Sequence, residues 1–280
     1  MSALVNMIVM LGMLFVVPAG LRLVDPVGLA SIRRTWPVFA VAGSVALWLP
    51  RGAAAVALAA VYGVGTLLLA AQAPRRLVRT RSLAPAEFAV LTALVTPAVA
   101  GVALVAERAG HELFGFTLPI LALTVPHFHF AGFAAALVAG LVCEAAGAAG
   151  RLSRFAALSV PVGNVLVLGG YFMGDWAELF GAVVLTAGMW AVAGLTWRDV
   201  RGGERDRGTR ALLGVSATVL VATMLLALSW AVGEAADLPH PDLTWMAATH
   251  GLGNALGFAL CSVLAWQRLR RQRQLKESAV

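Results

Sequence analysis

The sequence predicts an all-α, polytopic membrane protein of about nine transmembrane helices, and three observations carry that prediction. Apolar stretches recur along the whole chain, most of them close to the roughly 20 residues a helix needs to cross a bilayer. Charged residues make up only 12% of the 280 residues, against about 25% in a soluble domain. Nineteen of the 21 Lys and Arg fall on alternate connections between those stretches, as the positive-inside rule requires. A β-barrel is excluded because its strands alternate apolar and polar residues, whereas these runs are continuously apolar and rich in Ala, Leu, Val and Gly.

The first span is expected over residues 3–20, ending near Pro18-Ala19-Gly20. No Lys or Arg precedes it, so it lacks the basic start of a signal peptide and reads as a retained span. Arg22, Arg33 and Arg34 mark the next connection, and a short span 2 covers about Trp36 to Pro50. Span 3 follows over about Ala53 to Ala71, then a basic loop with Arg75, Arg76, Arg79 and Arg81. Span 4 covers about Pro85 to Ala106, and a polar link with His111 and Glu112 leads to span 5, about Thr117 to Ala146. Arg151 and Arg154 open span 6, which ends near Met173, and span 7 covers about Ala177 to Trp197. The most charged loop, Arg198 to Arg210, precedes span 8, about Ala211 to Val232. Span 9 runs from about Thr244 to Trp266 before a basic tail. The whole chain, 1–280, reads as one transmembrane bundle.

Only Arg51 and Arg108 lie on the side opposite the basic loops. That split predicts an N-terminus outside and a C-terminus on the cytoplasmic side of the membrane. The net charge of +7 is therefore a topology signal, and a nucleic-acid partner is rejected. Cys143 and Cys261 stand in separate apolar segments, as small packing residues. All the tryptophans except Trp190 lie near predicted span ends, as an interfacial aromatic belt would.

Against this apolar background the polar residues inside spans stand out, because ionisable groups in hydrocarbon are costly and usually functional. Span 5 contains Pro126-His127-Phe128-His129-Phe130-Ala131-Gly132-Phe133, and span 9 contains His250-Gly251-Leu252-Gly253-Asn254 followed by Gly257. At about 1.5 Å per residue, His127 and His129 are roughly 15 to 18 Å into span 5 and His250 roughly 9 Å into span 9. Pro126 removes a helical hydrogen bond and predicts a kink or a break there. A regular helix would point His127 and His129 about 200° apart, so one is expected to be chemical and the other a partner, with His129 preferred. Asn254 follows His250 by one turn on the same face. Gly251, Gly253 and Gly257 would admit a neighbouring helix or a ligand closely.

Asn164 marks a further polar point in span 6, in Ser159-Val160-Pro161-Val162-Gly163-Asn164. Glu144 near the inner end of span 5 reads as interfacial. At the outer rim, Glu107, His111, Glu112, Asp175, Glu178, Glu234, Asp237, His240 and Asp242 read mostly as solvated. Glu112 and Asp242 adjoin spans 5 and 9 and are candidates to cap a histidine layer. Three imidazoles with few deep acids suit acid–base chemistry, since a histidine exchanges protons near neutral pH. The expected function is an intramembrane isomerase or cyclase for a lipophilic, isoprenoid or epoxide substrate. His127, His129 and His250 would be catalytic, Asn164 and Asn254 would hold a substrate oxygen, and Phe130 and Phe133 would line the pocket. No cofactor and no metal is expected for this reading. The alternatives are a histidine-bound metal or haem, a proton-coupled small-molecule carrier, and histidines that serve packing alone.

The stretches His127-Phe128-His129-Phe130-Ala131-Gly132-Phe133 and His250-Gly251 through Asn254 to Gly257-Phe258 resemble the YndJ-like family of bacterial integral membrane proteins. The early Val17-Pro18-Ala19-Gly20-Leu21-Arg22-Leu23 fits the same resemblance. It implies a multispan protein of a bacterial cytoplasmic (inner) membrane with a site centred on the HFHF stretch, and it implies no reaction.

Overall fold

Why each apolar stretch becomes a helix follows from its setting: in hydrocarbon every backbone N–H and C=O must find a partner within the segment. The computed structural model describes residues 3–25, 27–202 and 205–278. Among them eight helices are long and apolar enough to cross a membrane. They are α1 (Ala3–Val24), α3 (Ala53–Thr80), α4 (Pro85–Ala109), α5 (Leu118–Ala145), α6 (Arg151–Met173), α7 (Asp175–Val200), α8 (Arg207–Ala236) and α9 (Leu243–Glu277). The remaining expected span is α2 (Ala30–Ala46), a helix of 17 residues that begins six residues earlier than the apolar run suggests. The chain is an all-α polytopic membrane protein. Large apolar side chains remain on its surface, among them Val38, Val41 and Trp48 of the α2 region and Val64, Leu67 and Leu68 of α3. A water-soluble monomer rarely exposes such stripes; lipid makes them favourable.

One basic stretch read as a loop is helical instead, and the basic tail is helical too. Gln72–Thr80 continues α3 after a turn at Ala71, and Cys261–Glu277 carries the basic tail onward from span 9. Arginine favours helix almost as well as leucine does, so charge ended the apolar run without ending the helix. The basic connection 198–210 is helical as far as Val200; residues 203 and 204 lie outside the described residues.

The chain divides into two compact units. The first comprises residues 1–82 and 91–134. In it α1 packs on α2, α2 on α3, α3 on α4, α4 on α5, and α5 back on α1. Its core holds Trp36, Tyr62, Phe133, Met13, Leu94 and Leu104, all fully buried. Trp36, expected in the interfacial belt, is sealed inside because α2 starts at Ala30 and carries it past the end; its indole N–H donates to the Met13 carbonyl at 2.8 Å. Glu107, expected at the solvated rim, is also fully buried. It pairs with Arg108 and, at 2.7 Å, with Arg51. Arg108 in turn donates to the carbonyls of Ala46, Leu47 and Leu49, and Asn6 donates to that of Leu47 at 3.1 Å. The last carbonyls of a helix have no partner within it, so these side chains let α2 end in a buried place.

The second unit comprises residues 83–90 and 135–280. Its central feature is the antiparallel pair α6–α7, joined through Gly174 alone, whose φ of +115° suits a residue without Cβ. The pair is held at backbone contact by glycines: a Cβ at Gly163 would stand 2.6 Å from the Cα of Leu185, and one at Gly181 2.5 Å from the nitrogen of Val167. Small residues at such crossings let van der Waals packing drive association where lipid removes the hydrophobic effect. Helix α7 also packs on α8, and α8 on α9. Along α8–α9, Ser216 bonds Ser262 at 2.8 Å, Val219 faces Gly257, and Thr223 faces Gly253.

Candidate functional site

Wide helical turns mark the places where polar side chains gather. A π-helical turn adds a residue per turn and is common at functional sites. Gly12–Val16 in α1, Phe128–Ala134 in α5, and Ala247–Gly251 and Gly253–Leu260 in α9 all have this form. The expected disturbance at Pro126 is therefore a widening rather than a break. Helix α5 continues through His127, and the π stretch begins at Phe128, where the missing proline N–H no longer holds the α register.

In the first unit these turns enclose His129. The ring is fully buried, as is that of Tyr62, whose hydroxyl bonds His129 Nε2. The two ring centroids are 5.9 Å apart, and Trp36 stands edge-on to Tyr62 at 6.0 Å. Two glycines make room: a Cβ at Gly12 would stand 2.9 Å from the Cβ of His129, and one at Gly43 2.8 Å from Cγ of Tyr62. His129 Nδ1 has no well-formed hydrogen bond, although the Val125 carbonyl, one turn back, lies toward it. His127 is partly exposed and meets the Phe128 ring edge-on at 5.4 Å. Phe130 and Phe133 are buried. Glu112 is exposed in the link before α5.

The second unit holds His250 and Asn254. His250 Nδ1 lies 2.8 Å from the carbonyl oxygen of Thr223 on α8. A carbonyl only accepts, so Nδ1 carries the hydrogen and Nε2 of the neutral ring keeps its lone pair. The Asn254 amide nitrogen is 3.1 Å from Nε2 and 3.5 Å from Nδ1. An in-plane donor on Nε2 would stand far from Nδ1; the two similar distances place the amide over the face of the ring. Asn254 Oδ1 accepts from the Thr223 hydroxyl at 2.8 Å. His250, crowded as it is, is a partly exposed residue. Gly253 permits this closeness, since a Cβ there would stand 2.7 Å from the Thr223 methyl.

The structure thus brings His250 and Asn254 together, as their spacing predicts. The three expected imidazoles belong to different units, His127 and His129 to the first and His250 to the second. Asn164 is buried in α6, where its amide donates to the Val160 carbonyl one turn back at 2.9 Å. Asp242 is exposed and caps the start of α9 by accepting from the Trp245 amide at 2.8 Å. Tyr62 and Thr223, the partners that matter most to the two rings, were not singled out from sequence. A lone Tyr or Thr in an apolar run has no spacing signal, and each lies far along the chain from its histidine. Among the described residues, no three His, Cys, Asp or Glu side chains form a group that could hold a metal ion.

Comparison with curated proteins and with solved structures found no match. The family model for YndJ-like proteins matches residues 7–258, a stretch that includes Gly12, Tyr62, His129, Thr223, His250 and Asn254, and the chain belongs to the YndJ-like family.

Proposed function

We propose that this protein is an intramembrane acid–base enzyme, an isomerase or cyclase of a lipophilic substrate, with its chemistry at His250. The observation that carries this reading is a partly exposed histidine with a fixed tautomer. The Thr223 carbonyl holds the hydrogen on Nδ1 and leaves Nε2 as the base. Fixing one ring nitrogen to orient the other is how histidine bases are commonly set. Nε2 would take a proton from carbon or oxygen of the substrate, exchange it with water and return one elsewhere on the same molecule, so no cofactor enters the balance. Asn254 beside the neutral ring is suited to receive the substrate, donating to a carbonyl, hydroxyl or epoxide oxygen as it binds. His129, sealed against Tyr62, is assigned to the scaffold in this reading. The setting is a bacterial cytoplasmic membrane, with the N-terminus outside and the basic connections inside, on the strength of their Lys and Arg. A substrate that partitions into lipid would reach this partly exposed residue laterally.

The test uses the purified protein in vesicles made from the total lipid extract of the source cells, incubated in D2O. Proton abstraction and return would leave deuterium in one lipid species, read by mass spectrometry. The wild type is expected to label it and His250→Ala to lose the label. Equal labelling by both, or none by the wild type, would remove the assignment.

A further inference from the structure

The Thr223 hydroxyl has two acceptors in reach, and this bears on what happens when His250 takes a proton. Thr223 Oγ1 is 2.8 Å from Asn254 Oδ1 and 3.2 Å from the Leu220 carbonyl one turn back. A hydroxyl has one hydrogen to donate and lone pairs to accept with. In the neutral state that hydrogen goes to Asn254 Oδ1, and the Asn254 NH2 lies over the electron-rich face of the imidazole. An imidazolium reverses the requirement, because a cationic ring repels N–H and attracts a carbonyl oxygen.

We infer that the Asn254 side-chain amide turns over when His250 is protonated, with Thr223 as the hinge of the exchange. After a half-turn about the Cγ bond, Oδ1 stands over the cationic ring and Nδ2 stands at Thr223 Oγ1. Thr223 now accepts from the amide, and its own hydrogen moves to the Leu220 carbonyl. Nitrogen and oxygen of an amide are nearly the same size, so the heavy atoms keep their places. The Thr223 hydroxyl and the Asn254 amide keep partners in both states, which matters because an unpaired buried donor or acceptor costs about 1–3 kcal/mol, and the new Nε2–H is left to face the substrate. The described residues place no other hydrogen bond or ion pair on His250, so Thr223 and Asn254 alone carry the response. The inference rests on the acid–base reading of His250 and deepens it. Thr223 and Asn254 become positioning residues that stabilise the protonated imidazole inside an apolar bundle until a proton is returned.

The test is nuclear magnetic resonance on protein in lipid nanodiscs, with 15N in histidine rings and in asparagine side chains, titrated through the protonation of His250. The His250 signal is assigned by its loss in His250→Gln, and that of Asn254 by its loss in Asn254→Leu. In the neutral state the Asn254 amide protons lie over an aromatic face and are expected upfield. As His250 gains its second ring proton they are expected to move downfield together with it. Thr223→Ser, which keeps the hydroxyl, should preserve this linked movement, and Thr223→Val should abolish it while His250 still titrates. Amide protons that stay put while His250 titrates, or that move equally in Thr223→Val, would overturn the inference. Deuterium labelling by wild type and not by His250→Ala would leave the acid–base reading standing in that event. Loss of that labelling difference with the amide movement intact would sink the reading and leave the exchange a feature of the bundle.

Discussion

His129 and His250 are both imidazoles inside membrane-spanning helices, both lie in π-helical turns, and both are bonded to a neighbouring helix, yet they are built for different ends. His129 meets a phenol at Nε2, glycine at its Cβ, and no opening. His250 meets a backbone carbonyl at Nδ1 and is a partly exposed residue. The first arrangement occupies the nitrogen that could act and encloses it. The second occupies the nitrogen that must be held and leaves the other. The difference teaches that depth in the membrane, which singled out both rings, does not separate a packing imidazole from a reactive one. What separates them is which nitrogen is engaged, and by what.

The largest expected effect breaks the comparison at its centre. His250→Ala should lower deuterium labelling of the lipid substrate by about 10²- to 10⁴-fold, the usual share of general acid–base catalysis. Its thermal unfolding in detergent should change little, because Asn254 keeps its bond to the Thr223 hydroxyl. His129→Ala should do the reverse, lowering the unfolding temperature while the folded fraction labels normally. If labelling instead followed His129, the roles of the two rings would have to be exchanged.

A smaller effect sharpens the reading of the sealed centre. Tyr62→Phe removes the hydroxyl that His129 Nε2 meets and leaves a buried ring nitrogen without a partner. The loss should be about 1–3 kcal/mol, measured by denaturant or thermal unfolding of the purified protein. Gly12→Ala puts a methyl 2.9 Å from the Cβ of His129 and should cost a similar 1–3 kcal/mol through overpacking. Neither substitution touches a residue assigned to the reaction, so labelling per folded molecule should be kept. Each would instead abolish labelling if the phenol–imidazole pair took part in proton transfer.

The scaffold of both regions is legible in the sequence, because hydrocarbon allows a continuous apolar run almost no form but a helix. The pairing of His250 with Asn254 is legible for the same reason, four residues being about one turn. The partners across helices are not. Tyr62 and Thr223 reach their histidines only through the packing of α3 on α4 and α5, and of α8 on α9, which hydropathy does not encode. The interfacial reading of Trp36 failed because α2 begins within the polar stretch at Ala30, so an apolar boundary was taken for a helix boundary. Glu107 read as solvated because its charge was seen and its two arginine partners, one adjacent and one 56 residues away, were not. The π turns had a partial signal in Pro126, but Gly12–Val16 and Gly253–Leu260 contain no proline at all.

The smallest expected effect concerns the start of α8, the helix that carries Thr223, and it keeps scaffold and site apart. Asp206 caps that helix, accepting from the Thr209 hydroxyl at 2.5 Å and the Thr209 amide at 2.9 Å, and its carboxylate also receives Gln272 of the basic tail at 2.5 Å. The Thr209 bonds are the chief cause that holds its pKa down at about 2, below the ordinary 3.8, with Gln272 and the nearby Arg268 adding to them. A carboxyl depressed in the folded state stabilises it fully above the unfolded value, and the contribution fades as pH falls from about 4 through about 2. Thermal stability of the wild type should therefore decline over that window. Asp206→Asn, which caps nearly as well and carries no titratable group, should flatten that part of the curve. Asp206→Ala should be less stable than wild type at neutral pH and should approach it in acid. None of the three should differ in slope between pH 5 and 8. A change of labelling rate within that range then belongs to the site on α9, whereas a pH-dependent gap in stability between wild type and Asp206→Asn near neutrality would tie the cap and the imidazole together.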